Sequence, residues 1–275
     1  KFQEKTYFDL IEEFNRKTAT FNFESLFEKL EMENVTYIIL TAKHHDGFCL
    51  WPSEHAEHKS ERNFVKEFIE FARRHNPELK VGLYYSWLEH GKKFNETFFT
   101  KTIEPQINEL EKMGPDYWWF DGDWTFKDGK NKSVVRKIFN LVKKLKSRAT
   151  INSRVPTAPL GNKDKSHDII IYEQQKMPSA WRSDNWEYIF TIGKSWGYCK
   201  EQENVDDTDY NKEDFYKTKE KIQQLYKEVA SKNGNFLINF GPKLDGSLDK
   251  NELEAYNGFM DDFNKILKKK PLKKK

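Results

Sequence analysis

Short continuous apolar runs alternate along this chain with stretches in which apolar residues recur every three or four positions. The first run, "VTYIILTA" from Val35 to Ala42, is followed by Arg62 to His75, where Phe64, Val65, Phe68, Ile69 and Ala72 share one helical face. "KVGLYYSW" comes next, then a helical pattern over Ile103 to Met113, then "PDYWWFDGDW". The spacing of Val134, Val135, Ile138, Phe139, Leu141 and Val142 predicts a helix over Ser133 to Lys146. "ATINSRV", "DIIIYEQQ" and "YIFTIG" read as further strands, and a helix is expected from Asp214 to Ser231 before "GNFLINFGP". A last helix carries Tyr256, Phe259, Met260, Phe263 and Leu267 on its apolar stripe. Near-continuous apolar strands separated by helices indicate parallel strands covered on both faces. The expected class is α/β, a (β/α)8-like TIM barrel over residues 1–275. Seven strand-like runs are recognisable, so the barrel is expected to be incomplete. Residues 1–22 hold no strand and read as an irregular N-terminal segment, and 268–275 as a basic tail.

Composition narrows the possibilities. Aromatic residues make up 15% of the chain, with 8 Trp, 12 Tyr and 22 Phe, which suits a large core and also suits ring faces that stack on sugar C–H surfaces. Net charge is +3, and the excess gathers in "KKKPLKKK", so no nucleic-acid partner is expected. No apolar run approaches the roughly 18 residues of a membrane span. Cys49 and Cys199 form neither a disulfide framework nor a metal knuckle, and no GxGxxG or GxxxxGK[ST] pattern points to a nucleotide. Asn34-Val35-Thr36, Asn95-Glu96-Thr97 and Asn131-Lys132-Ser133 match the glycosylation acceptor pattern.

In barrels of this type the C-terminal strand ends build the active site. His44, His45 and Asp46 follow the first strand; Tyr84 and Trp87 lie on the next; Trp119, Asp121 and Asp123 end the third, Arg154 the fourth and Glu173 the fifth. Trp196 lies beyond "YIFTIG", and Glu187 in "NWEY" is a second carboxylate to set against Glu173. Two separated carboxylates, a guanidinium, imidazoles and aromatic faces match what glycoside hydrolysis needs. One carboxylate attacks or stabilises an oxocarbenium-like centre, and the other protonates the leaving oxygen. Strand-end aspartates also serve as caps and turn formers, the more expected role for Asp123. Paired histidines can bind metal, but neither HExxH nor HxH is present, and no metal or cofactor is expected.

"YIILTAKHHDGFCLWPS", "VGLYYSWLE", "GPDYWWFDGDW", "SWGY" and "SKNGNFLINFGPKLDGSL" together resemble glycoside hydrolase family 29, the α-L-fucosidases, in order from about Phe21 to Phe263. The resemblance implies retaining hydrolysis of terminal α-L-fucosyl residues from oligosaccharides or glycoconjugates through a covalent intermediate. It implies Asp121 as nucleophile and Glu173 as acid/base, with Glu187 in reserve. It further implies His44, His45, Tyr84, Trp119, Arg154 and Trp196 as fucose-pocket residues, the histidines gripping sugar hydroxyls rather than a metal. A retaining pair of carboxyl groups stands about 5–5.5 Å apart. A secreted, periplasmic or lysosomal setting follows from the same resemblance. The family's usual N-terminal strand with a His-Trp-Gly-like motif and its C-terminal β-sandwich have no counterpart here. A catalytically impaired fucose- or glycan-binding homologue or fragment is therefore the alternative.

Overall fold

The computed structural model describes residues 7–126, 131–156, 166–174, 176–199 and 215–269. These form two compact units. The first is Lys1–Arg16 with Thr36–Ile170, and the second is Lys17–Val35 with Ile171–Lys275.

In the first unit, strands β1 (Tyr37–Lys43), β2 (Lys80–Ser86), β3 (Tyr117–Asp121) and β4 (Thr150–Ile151) make one sheet in sequence order, every pair parallel. All five residues of β3 are buried, as expected of a strand flanked on both sides. Helix α1 (Tyr7–Lys17) occupies much of the N-terminal segment expected to be irregular. There, Phe14 packs edge-on against Phe48 at 4.8 Å and Phe64 at 5.8 Å. Residues 1–6 lie outside the described set. Helix α3 (Phe64–His75) begins where Asn63 accepts a hydrogen bond from Lys66 N, and it buries the predicted apolar face together with Phe71. Arg73 and Arg74 close it with positive charge at the dipole's negative end.

The helix expected over Ile103–Met113 starts earlier. Asn95 caps α4 (Glu96–Phe98), a π-helical turn spans Phe99–Ile103, and α5 (Glu104–Glu111) follows. Pro105 supplies no N–H at the start of α5, and the wider turn before it keeps the chain helical. Helix α6 (Lys132–Leu145) matches its predicted span within a residue and buries Ile138, Phe139, Leu141 and Val142. The run "ATINSRV" gives only a two-residue β4. Beyond it the Asn152 side chain replaces backbone pairing, accepting from Phe120 N (3.1 Å) and donating to Phe120 O (2.9 Å).

The second unit holds a sheet ordered β5 (Ile170–Glu173), β6 (Trp186–Thr191), β7 (Asn235–Asn239), with β6 and β7 parallel. The short helix α2 (Phe23–Phe27) buries Phe23, Leu26 and Phe27. Helix α7 (Lys219–Ser231) begins after Thr218, which is extended and whose hydroxyl accepts from Lys221 N. The expected start at Asp214 lies outside the described residues. Helix α8 (Lys250–Lys269) buries Tyr256, Phe259 and Met260, whereas Leu267 at the end of the predicted stripe is 39% exposed. Tyr226, Phe236, Phe259 and Phe263 form the aromatic centre of this unit.

Asn34 donates to Asn264 Oδ1, Asn95 caps α4, and Asn131 donates to Phe94 O, so each sequon asparagine is tied down by its own side chain. No helix among the described residues is long and apolar enough to cross a membrane.

Candidate active site

The first unit gathers its chemistry where β1, β2 and β3 end. Near the end of β1 the register against β2 shifts between Thr41 and Lys43, so one extra residue is accommodated. Both Ala42 and Lys43 then have no exposed surface. Lys43 Nζ lies 3.2 Å from Tyr85 Oη and 3.5 Å from Glu89 Oε2, above the Tyr85 ring. Burial pushes the Lys43 ammonium's pKa down, and Glu89 opposes the shift. The chain then turns: Gly47 N donates to His44 O, Asp46 Oδ1 accepts from Phe48 N, and Gly47 adopts φ +82°. A Cβ on Gly47 would stand 2.5 Å from Glu89 Cγ, so only glycine lets the two loops close on each other. His90 N donates to His45 O at 2.7 Å, a second tie between them.

Asp121 is the last residue of β3 and is 9% exposed. Its Oδ1 accepts from Gly122 N (2.8 Å) and Arg154 Nη1 (2.9 Å). Its Oδ2 accepts from the Tyr84 hydroxyl (2.8 Å) and faces His45 Nε2 at 3.4 Å. The sequence folds this way because β2 and β3 pair in register, with Ser86 opposite Asp121, while Gly122 leaves the strand at φ +82°. A Cβ on Gly122 would meet Leu88 Cβ and N at 2.9 Å. Arg154 is delivered from beyond β4, where Asn152 prolongs the β3 pairing and Trp87 Nε1 holds Arg154 O at 2.9 Å.

Aromatic rings wall the carboxylate. His44 stacks on Tyr84 (5.3 Å, 4°), Tyr84 stacks on Trp119 (5.4 Å, 18°), and the Arg154 guanidinium lies 5.8 Å from the Trp119 ring. Burial lowers the pKa of both His44 and His45; Asp46 and Asp121 pull the other way, and His44 depresses His45 further. The site therefore combines an ordered carboxylate, neutral imidazoles and flat apolar faces. Among the described residues, no group of three or more His, Cys, Asp or Glu side chains is arranged to hold a metal ion.

Six of the sequence-predicted residues thus meet in the first unit: His44, His45, Tyr84, Trp119, Asp121 and Arg154. Three belong to the second unit. Glu173 ends β5 and is half-buried; Glu187 is the second residue of β6, with no exposed surface; Trp196, 40% exposed, follows β6 and accepts from Asn239 Nδ2 through its carbonyl. Trp87, grouped with the strand-end aromatics, is wholly buried and serves as a strut. Asp123 opens a 3-10 turn (Asp123–Phe126), as its turn reading implied, and its Oδ1 also lies 3.6 Å from Arg154 Nη1. Ser86, Lys43, Glu89 and Trp124 escaped the sequence reading. Only the strand register, which puts Ser86 opposite Asp121, could have flagged the first of them.

Parallel strands that end in a clasped carboxylate, paired histidines and a stack of rings define an α/β protein with a carboxylate-centred site. The chain belongs to the α-L-fucosidase family, whose model matches residues 1–262. It is 31% identical over 248 residues to the plasma α-L-fucosidase of Rattus norvegicus, covering 82% of this chain and 50% of that one. With the plasma α-L-fucosidase of Homo sapiens it shares 30% over 249 residues, again 50% of the relative's length. The chain spans about half the length of the curated relatives it matches. Among solved structures, an α-L-fucosidase aligns with a TM-score of 0.74 at 22% identity over 96% of this chain and 59% of that one. The Thermotoga maritima α-fucosidase in complex with a mechanism-based inhibitor aligns with a TM-score of 0.73 at 24% identity, covering 96% and 61%.

Proposed function

We propose that this chain is the catalytic part of a retaining α-L-fucosidase, a (β/α)8-like barrel domain acting on terminal α-L-fucosyl residues of oligosaccharides or glycoconjugates. The observation that carries the reading is the Asp121 carboxylate, held by Tyr84, Arg154 and Gly122 N beside the histidine pair. In this reading Asp121 attacks the anomeric carbon and forms a fucosyl ester as the bond to the aglycone oxygen breaks. Glu173 gives that oxygen its proton, then takes one from the water that releases fucose. Glu173 is preferred to Glu187 because an acid/base must reach the leaving group and water, and Glu187 has no exposed surface. His44 and His45 bind sugar hydroxyls, and Tyr84 and Trp119 orient the nucleophile and line the pocket. Trp196 supplies an exposed aromatic face, suited to the apolar methyl end of fucose. A secreted, periplasmic or lysosomal setting is proposed from relatives named plasma and tissue fucosidases. A glycan-binding homologue without turnover is not favoured, since Asp121 keeps its full set of donors. The test is release of 4-nitrophenol from 4-nitrophenyl α-L-fucoside by the chain and by Asp121→Asn. Turnover lost in a folded mutant supports the proposal, and equal turnover in both overturns it.

A further inference from the structure

We propose that Ser86 fixes the tautomer of His45, so that Nε2 meets the substrate as a hydrogen-bond acceptor, and that protonating this same nitrogen turns it onto Asp121 and idles the nucleophile. The proposal deepens the fucosidase reading and rests on Asp121 being the nucleophile.

Proton counting carries the first half. Ser86 Oγ has one hydrogen, and it donates to Leu88 O at 2.7 Å. The 2.6 Å contact between His45 Nδ1 and Ser86 Oγ must then be made by a proton on Nδ1. A neutral His45 consequently carries a bare lone pair on Nε2. That atom faces Asp121 Oδ2 at 3.4 Å, and Oδ2 already accepts the Tyr84 proton at 2.8 Å. Two acceptors facing each other beyond hydrogen-bond length is the spacing expected when no proton lies between them. A sugar hydroxyl, itself a donor, is the group that such a pair invites.

The second half follows from the same geometry. An imidazolium donates from Nε2 to Oδ2 as a charge-assisted bond, which ties up the Asp121 carboxylate and spends its charge. The groups facing His45 are His44 and Asp46 on its own loop, Ser86 on β2, His90 after β2, Asp121 on β3 and the Trp124 ring at 5.2 Å; Arg154 and Tyr84 act through Asp121. Burial and His44 hold the imidazole neutral, against the two carboxylates. Ser86 is thus a positioning residue, with no exposed surface of its own.

Long-range 1H–15N spectra of the full chain labelled in histidine test this without turnover, His45 being assigned from its loss in His45→Gln. We expect a protonated Nδ1 and an unprotonated Nε2 at pH 7.5, a shift toward the Nε2–H form in Ser86→Ala, and restoration in Ser86→Thr. With one hydrogen bond at stake, kcat/KM of Ser86→Ala should fall roughly five- to tenfold, with its acid limb displaced. An Nε2–H tautomer in the parent overturns the proposal even if no Ser86 variant folds. So does a Ser86→Ala spectrum identical to the parent's, whatever the activity. A chain with the expected tautomer but no fucosidase turnover would instead overturn the functional reading.

Discussion

Replacing Glu89 with glutamine removes the charge that faces Lys43 while leaving the side chain packed against Gly47. Lys43 has no exposed surface, and Glu89, 8% exposed, is the carboxylate that pairs with it at 3.5 Å. Without that carboxylate the lysine either stays charged and unpaired or gives up its proton. Neutralising a lysine of ordinary pKa about 10.4 at pH 7 costs about 5 kcal/mol, a ceiling that agrees with the roughly 3–5 kcal/mol lost when one partner of a buried pair is removed. The cost carries a pH signature. In the variant the unfolded chain binds a proton at Lys43 that the folded chain does not, so stability rises with pH, and at pH 9 the ceiling falls to about 2 kcal/mol. Lys43→Met combined with Glu89→Gln should recover most of the loss, because no buried charge remains. Urea unfolding read by amide exchange in β1 and β2 peptides reports the first unit directly. A Glu89→Gln cost below about 1 kcal/mol at pH 7, or one unchanged between pH 7 and pH 9, would show that buried Lys43 does not depend on the Glu89 charge.

Arg154→Lys keeps a positive charge but not the planar fork beside Asp121 and Trp119; steady-state kinetics should show kcat/KM reduced on the order of tenfold or more with β3 intact. Gly122→Ala forces a side chain into φ +82° and into Leu88, and thermal unfolding should register a loss of about 1–3 kcal/mol. Since burial holds His44 and His45 below the ordinary histidine value, the unfolded chain takes up protons first as pH falls. Stability should therefore drop as pH falls below about 6.5, and less steeply in His44→Gln, as melting temperatures across that range would show.

The parts of this molecule that sequence patterns expose are its continuous apolar runs. "YIIL", "VGLYY" and "YWWF" each lie in a parallel strand; "YWWF" is buried throughout, whereas "YIIL" sits in the edge strand β1 and is half-buried. Because parallel strands all end on one side, the polar groups at or just past their ends, His45, Tyr84 and Asp121, can be grouped from the sequence alone. What escaped depends on individual side chains acting on backbone. Asn152 shortens β4 by taking over its pairing, Thr218 caps α7, and Pro105 is absorbed by a π-turn. Lys43 reads as a surface residue from its chemistry, and only the extra residue in β1 turns it inward. The proposed tautomer of His45 follows from a chain of hydrogen bonds, His45 Nδ1 to Ser86 Oγ to Leu88 O, that no local pattern encodes.

On the proposed mechanism Asp121 becomes covalently bonded to the sugar during turnover. Incubating the chain with 2-deoxy-2-fluoro-α-L-fucosyl fluoride slows release of the sugar from the enzyme, and mass spectrometry of the intact protein and its peptides then locates the adduct. One fluorofucosyl group per chain is expected, on the peptide holding Asp121, with none on Asp121→Asn. An adduct on another carboxylate, or steady turnover with no trappable ester, would rule out Asp121 as the nucleophile.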